Sequence, residues 1–174
     1  SRPDHISGLP PSPAQKQNMT KCIYLNNAAT TYPKPESVMM GVSTLLGQPP
    51  CDHLRAGFGN GTGGIVDECR GQLAHLFNVA NPNRIVFTSG STESLNLAVK
   101  GLDLNGKHVI TTTVEHNSVL RPLKTMERQG RISLSIVQCD KYGLVWPERI
   151  QESITSKTGA IVVNHCSNVT GMVN

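Results

Sequence analysis

Three places in this chain carry residues whose types and spacing could do chemistry. They are Ser89, Gly90, Ser91 and Thr92 in IVFTSGSTESLNLAVKGL, His116 in VEHNS, and Asn168 in NHCSNVTG. In the first, a short apolar run enters a Ser/Gly/Thr turn that opens directly into a helical pattern. The first amides of a helix have no intrahelical acceptor, and the helix dipole adds partial positive charge there. Two hydroxyls and free amide donors at such a start suit a phosphate. The plainer alternative is that Ser89 or Ser91 only caps the helix. His116 and Asn168 also follow runs rich in Val, Ile and Thr. In an open parallel sheet the carboxyl ends of the strands share one edge, where ligands collect. The three polar loops are therefore expected to form one site.

The elements that must position them alternate regularly. Strands are expected at Ile85–Thr88, His108–Val114, Ile132–Gln138 and Ala160–His165, from their Val, Ile and Thr content. Helical spacing of apolar residues marks Glu36–Leu46, Ile65–Phe77, Ser91–Leu102, Ser118–Gln129 and Trp146–Ser153. Strands separated by helices imply crossover connections, hence an α/β fold with a mainly parallel sheet flanked by helices. Ile132, Leu134 and Ile136 alternate with polar residues, the pattern of an edge strand. Tyr24–Thr31 reads as a short extended segment closed by Pro33 and Pro35, and Gly47–Gly64 as a glycine-rich loop. The expected organisation is a disordered tail over 1–20, an N-terminal segment with the loop over 21–64, and an α/β domain over 65–174. Met19 reads as the natural start, with the preceding residues additional to it.

Composition narrows the classes. The chain has 174 residues, 37% hydrophobic and 16% charged, with a net charge of +4 spread along it. No basic run is interleaved with aromatics, which argues against a nucleic-acid partner. No apolar stretch approaches the ~20 residues of a membrane span, and the N-terminus lacks the apolar core of a secretory signal. The five cysteines are odd in number and form no C-x-x-C pair, so neither a metal site nor a disulfide framework is expected. Reduced thiols in the cytoplasm are the economical reading. GxxxxGK[ST] and G-x-G-x-x-G are both absent, which disfavours a nucleotide triphosphatase and a nicotinamide dehydrogenase.

YLNNAATT, FTSGSTESLNLAVKGL, TTTVEHNSVLRPL and IVVNHCSNVTG, in that order, resemble the class V aminotransferases, in the branch of cysteine desulfurases and selenocysteine lyase-like proteins. The resemblance runs from Ile23 to Asn174, and the loop RAGFGNGTGG is its least family-like part. It implies a fold-type I enzyme, with this chain forming part of the large domain that binds pyridoxal 5′-phosphate, and a homodimer when full length. Ser91 and Thr92 then match the phosphate-binding turn. His116 matches the histidine on the face of the pyridine ring, with a catalytic part in moving protons. Asn168 matches the asparagine that hydrogen-bonds the phenolic oxygen. Asn27, Ala28 and Ala29 match a segment near the substrate, where the other reading is a tight turn of small residues. His53 and Arg55 are weaker candidates for substrate contact. His165 and Cys166 sit beside Asn168, where one of the two is expected to pack, and Cys166 is not expected to act as a nucleophile.

In this family the Schiff-base lysine, the carboxylate facing the pyridine nitrogen, the mobile acceptor cysteine and the substrate-gripping arginine all follow the asparagine motif. Lys157, the last lysine, stands in no family position. The expectation is an N-terminal portion of a longer chain that does not turn over by itself. For the whole protein the resemblance implies sulfur transfer from L-cysteine, leaving alanine, with an amino acid as substrate and a sulfur-acceptor protein as partner. Selenocysteine lyase, transaminase or epimerase activity would use the same residues, and a non-catalytic phosphate-binding remnant is the reading from another class.

Overall fold

Val109, Ile110, Thr111 and Thr112 are β-branched and wholly excluded from solvent, as suits a strand covered on both faces. In the computed structural model, which describes residues 23–48 and 64–174, they belong to the middle strand of a three-stranded parallel sheet. The strands are β1 (Lys107–Thr112), β2 (Ile132–Val137) and β3 (Thr158–Ile161), in the order β2-β1-β3. β1 pairs with β2 in unbroken register from Lys107↔Ile132 to Thr112↔Val137. Its pairing with β3 shifts between His108 and Val109. β2 lies at an edge of this sheet, as its alternating pattern implies.

The helices of this part are α2 (Ile65–Leu76), α3 (Ser91–Gly101), α4 (Asn117–Arg128) and α5 (Pro147–Glu152). Side chains alternate along β1, so its two faces feed separate clusters. Val109 packs with Val99 of α3, with Val119, Leu123 and Met126 of α4, and with Leu104 and Ile132. Ile110 packs with Val137 and Val145, joined by Val114, Cys139 and Ile150 of α5. The chain steps from β1 to β2 through α4, then back across β1 to β3 through α5. Right-handed crossovers in opposite directions put the two helices on opposite faces. The loops leaving β1 and β2 therefore run to opposite faces of the sheet, which makes the carboxyl end of β1 the point where the chain reverses direction.

Ile85–Thr88 is a correction to the expected strands. The segment is extended but forms no ladder, because no described strand runs beside it. Val86 is 69% and Phe87 44% exposed. Arg70 of α2 holds the segment from one side, donating from Nε to the Ile85 carbonyl at 3.1 Å and lying 5.4 Å from the Phe87 ring centroid.

The chain divides into two compact units, Ser1–Pro50 and Cys51–Asn174. In the first, Asn27–Ala29 forms a turn where an extended segment is expected. The Asn26 carbonyl accepts from the amides of Ala29 at 3.1 Å and Thr30 at 3.4 Å, and the Asn27 side chain accepts from the Tyr32 amide at 3.0 Å. Tyr24 and Tyr32 stack edge-on, 5.4 Å between centroids. α1 (Glu36–Leu46) follows with the bounds its spacing implies, and none of its residues is buried. The expected tail, Met19, His53 and Arg55 lie outside the described residues.

Candidate functional site

The turn before α3 is built so that its amides stay free. Gly90 is the N-cap, in an extended conformation, and no side chain caps the helix. The Ser94 amide closes the first turn on the Gly90 carbonyl at 3.1 Å. The amides of Ser91, Thr92 and Glu93, and the Ser91 and Thr92 hydroxyls, have no hydrogen-bond partner among the described residues. Ser89 differs. Its amide and its hydroxyl both donate to Glu93 Oε2, at 2.7 and 2.6 Å. Those two bonds, the hydroxyl's first, hold the Glu93 carboxyl below its ordinary value of 4.5. Ser89 therefore leaves the expected phosphate-holding set and becomes the anchor of the turn.

His116 is the N-cap of α4. Its Nδ1 accepts from the Ser118 amide at 3.1 Å and lies 2.7 Å from the Ser118 hydroxyl. An amide can only donate, so Nδ1 is the acceptor and the ring proton sits on Nε2. Helix α4 thus starts one residue earlier than its sequence pattern implies, and a histidine takes the place usually held by Ser, Thr, Asp or Asn.

Asn168 lies at the tip of a short hairpin. Cys166 and Val173 form its antiparallel bridge, and Gly171 turns with φ +71°. The buried Ser167 shapes the tip, its hydroxyl accepting from the Val169 and Thr170 amides at 3.3 Å each. The Asn168 side chain is exposed and makes no hydrogen bond among the described residues. His165 and Cys166 are both exposed, so neither packs as expected at this strand end; the Cys166 thiol is 3.5 Å from the Gly171 carbonyl.

Thr92 and His116 meet in one groove of about 590 Å³ between α3 and α4. Asn96 and Lys100 continue the α3 wall, one turn apart, while Arg121 and Arg131 complete a lining with three cations and no acid. The free amides and hydroxyls of the α3 turn fit an anion at one end of the groove, while the three cations are spread along it, Lys100 two helical turns from Thr92. Ser91 and Asn168 do not line this groove. Asn168 belongs to the same carboxyl edge through its loop: the Asn164 amide donates to Glu115 Oε1 at 2.6 Å, one residue before His116. Sequence reasoning passes over Glu115, Asn96 and Lys100. The spacing Thr92, Asn96, Lys100 along a helix face is the signal that could have found two of them.

Against known proteins, the family model Aminotransferase class-V matches residues 23–174. Among curated relatives, the cysteine desulfurase IscS of Dictyoglomus turgidum is 34% identical over 89% of this chain and 40% of its own length. The IscS of Shewanella sediminis is 36% identical over 87% of this chain and 39% of its own. The chain thus spans about two fifths of the curated relatives it matches. Among solved structures, SspA in complex with cysteine superposes with a TM-score of 0.68 at 28% identity, covering 86% of this chain and 44% of that one. The Escherichia coli cysteine desulfurase CsdA shares the fold, with a TM-score of 0.67 at 24% identity over 86% of this chain and 39% of that one. The α/β architecture, the four ordered motifs and these matches agree: the chain belongs to the class V aminotransferase family, whose members depend on pyridoxal 5′-phosphate.

Proposed function

We propose that this chain forms one wall of a pyridoxal 5′-phosphate site in a cysteine desulfurase-type enzyme that takes sulfur from L-cysteine and leaves alanine. The observation that carries the reading is the uncapped start of α3, with Thr92 sharing a cationic groove with His116. The Ser91 and Thr92 hydroxyls and the free amides beside them hold the phosphate. His116, its ring fixed by Ser118, lies against the pyridine and offers Nε2–H as the site where a proton is held or moved. Asn168 donates its side-chain amide to the phenolic oxygen, which steadies negative charge there without a full countercharge. When bound, the cofactor supplies an electron sink for the carbon next to the substrate's amino group.

The identities with the IscS enzymes, and the cysteine bound by SspA, support cysteine as the substrate class. A homodimer, a sulfur-acceptor protein and a cytoplasmic location complete the proposal. The three described cysteines are free, and among the described residues no helix is long and apolar enough to cross a membrane. The test is to purify the full-length protein, titrate it with pyridoxal 5′-phosphate, and measure alanine and sulfide release from L-cysteine with a dithiol reductant present, which supplies the two electrons that turn the transferred sulfur into sulfide. Saturable binding with stoichiometric alanine and sulfide is expected. Binding without release favours another activity of the family, and no binding refutes the reading.

A further inference from the structure

One carboxylate at the carboxyl edge of the sheet has no task in the cofactor reading. Glu115 stands between the end of β1 and His116 and is half-buried. A single oxygen, Oε1, accepts the Thr112 hydroxyl at 2.9 Å and the Asn164 amide at 2.6 Å. Thr112 is the last residue of β1 and wholly buried, so one end of this link is fixed in the core. Asn164 lies just past β3, where the backbone ladder has run out: the last bond from β1 to this segment is the Val162 amide on the Ile110 carbonyl at 2.9 Å. Beyond it no backbone bond joins the two loops among the described residues, and there the Asn164 amide has Glu115 as its acceptor. Asn164 passes the constraint onward, because its side-chain oxygen accepts from the Cys166 amide at 3.1 Å at the foot of the hairpin that carries Asn168.

We infer that Glu115 is a positioning residue: its carboxylate clamps the loop of His116 to the loop of Asn168 and sets the spacing of the two groups assigned to the cofactor's ring. The inference rests on the cofactor reading above. Neither Glu115 nor its partners Thr112 and Asn164 line the anion groove, and none of the three bonds a residue of the α3 turn. Its removal therefore loosens the ring end of the site and leaves the phosphate end intact. Reach rather than charge is the requirement. A glutamine oxygen at the same position accepts the same two bonds, while aspartate is one methylene too short.

The test compares the full-length protein with Glu115→Ala, Glu115→Gln and Glu115→Asp, with folding checked by circular dichroism. Pyridoxal 5′-phosphate affinity is measured directly, and inorganic phosphate affinity by competition. Glu115→Ala and Glu115→Asp are expected to weaken cofactor binding about tenfold, the effect of losing one good hydrogen bond. Phosphate affinity stays at the wild-type level, and Glu115→Gln stays near wild type for both ligands. Equal loss of both ligands in a folded variant marks a general structural role and overturns the inference. So does unchanged cofactor affinity in Glu115→Asp, which decides the matter if the alanine variant does not fold. A wild-type protein that binds no cofactor refutes the underlying reading and the inference with it. A wild type that binds, with variants that bind equally well, refutes the inference alone.

Discussion

Replacing His116 by alanine removes the side-chain cap on α4 and, among the described residues, the only acceptor of the Ser118 amide. An N-cap of this kind contributes about 1 kcal/mol, and a nearly buried donor left without a partner adds a cost of similar size. Ser118 is 8% exposed, so water replaces the lost acceptor poorly. The expected local cost is ~1–2 kcal/mol, which corresponds to roughly a 5- to 30-fold loss of protection. Native-state amide hydrogen exchange at Ser118 reads this directly, with amides in the middle of α4 as internal controls. His116→Asn separates the cap from the ring, because asparagine is a preferred N-cap whose side-chain oxygen can take the same amide. In that variant Ser118 protection should return to within a few-fold of wild type, while pyridoxal 5′-phosphate binding stays impaired for want of the imidazole. Unchanged Ser118 exchange in His116→Ala would refute the capping geometry. Full cofactor affinity in His116→Asn would refute the ring's assignment while leaving the cap intact.

Other consequences are equally direct. Replacing both Ser91 and Thr92 by alanine should lower pyridoxal 5′-phosphate affinity by at least about tenfold, since charge-assisted bonds are the stronger ones. Its melting curve should hardly move, because neither hydroxyl has a partner among the described residues. Asn168→Ala should leave stability within about 0.5 kcal/mol, as its exposed side chain bonds nothing among the described residues, yet weaken cofactor binding. Ser89→Ala should raise the Glu93 carboxyl back toward 4.5, seen by carboxyl NMR, because it removes the largest cause of the lowering. The sign follows from linkage: a lowered folded value means the Glu93–Ser89 hold is complete above 4.5 and fades as pH falls through the folded value. Leu123→Ala, at a fully buried position against β1, should cost ~2–5 kcal/mol in denaturant unfolding. A smaller cost would mean that the α4 face is not the core of this layer.

Much of this was legible in the residues. The helical periods of Glu36–Leu46 and Ile65–Phe77, the second ending one residue earlier at Leu76 in the structure, and the β-branched run of β1 follow from the chain's own pattern, since a stripe or an alternation must face a core whatever that core is. The α3 turn was equally readable, because an uncapped helix start needs only a Gly and its neighbours to exist. The failures share a cause. Ile85–Thr88 has strand composition, but a strand is completed by a partner, and none of the described strands lies beside it. Ser89 has a donor's chemistry, but Glu93, one turn along, accepts the hydrogen bonds of both its amide and its hydroxyl. Local sequence states what a group can do, and only neighbours brought in by folding decide what it does. The Thr92, His116 and Asn168 motifs were set by the sequence alone. That Thr92 faces His116 across one groove was decided by α3 and α4 packing on the same face of β1, and that Glu115 ties the His116 loop to the Asn168 loop, 49 positions apart at Asn164, was decided by the order β2-β1-β3, which makes neighbours of strand ends far apart in the chain.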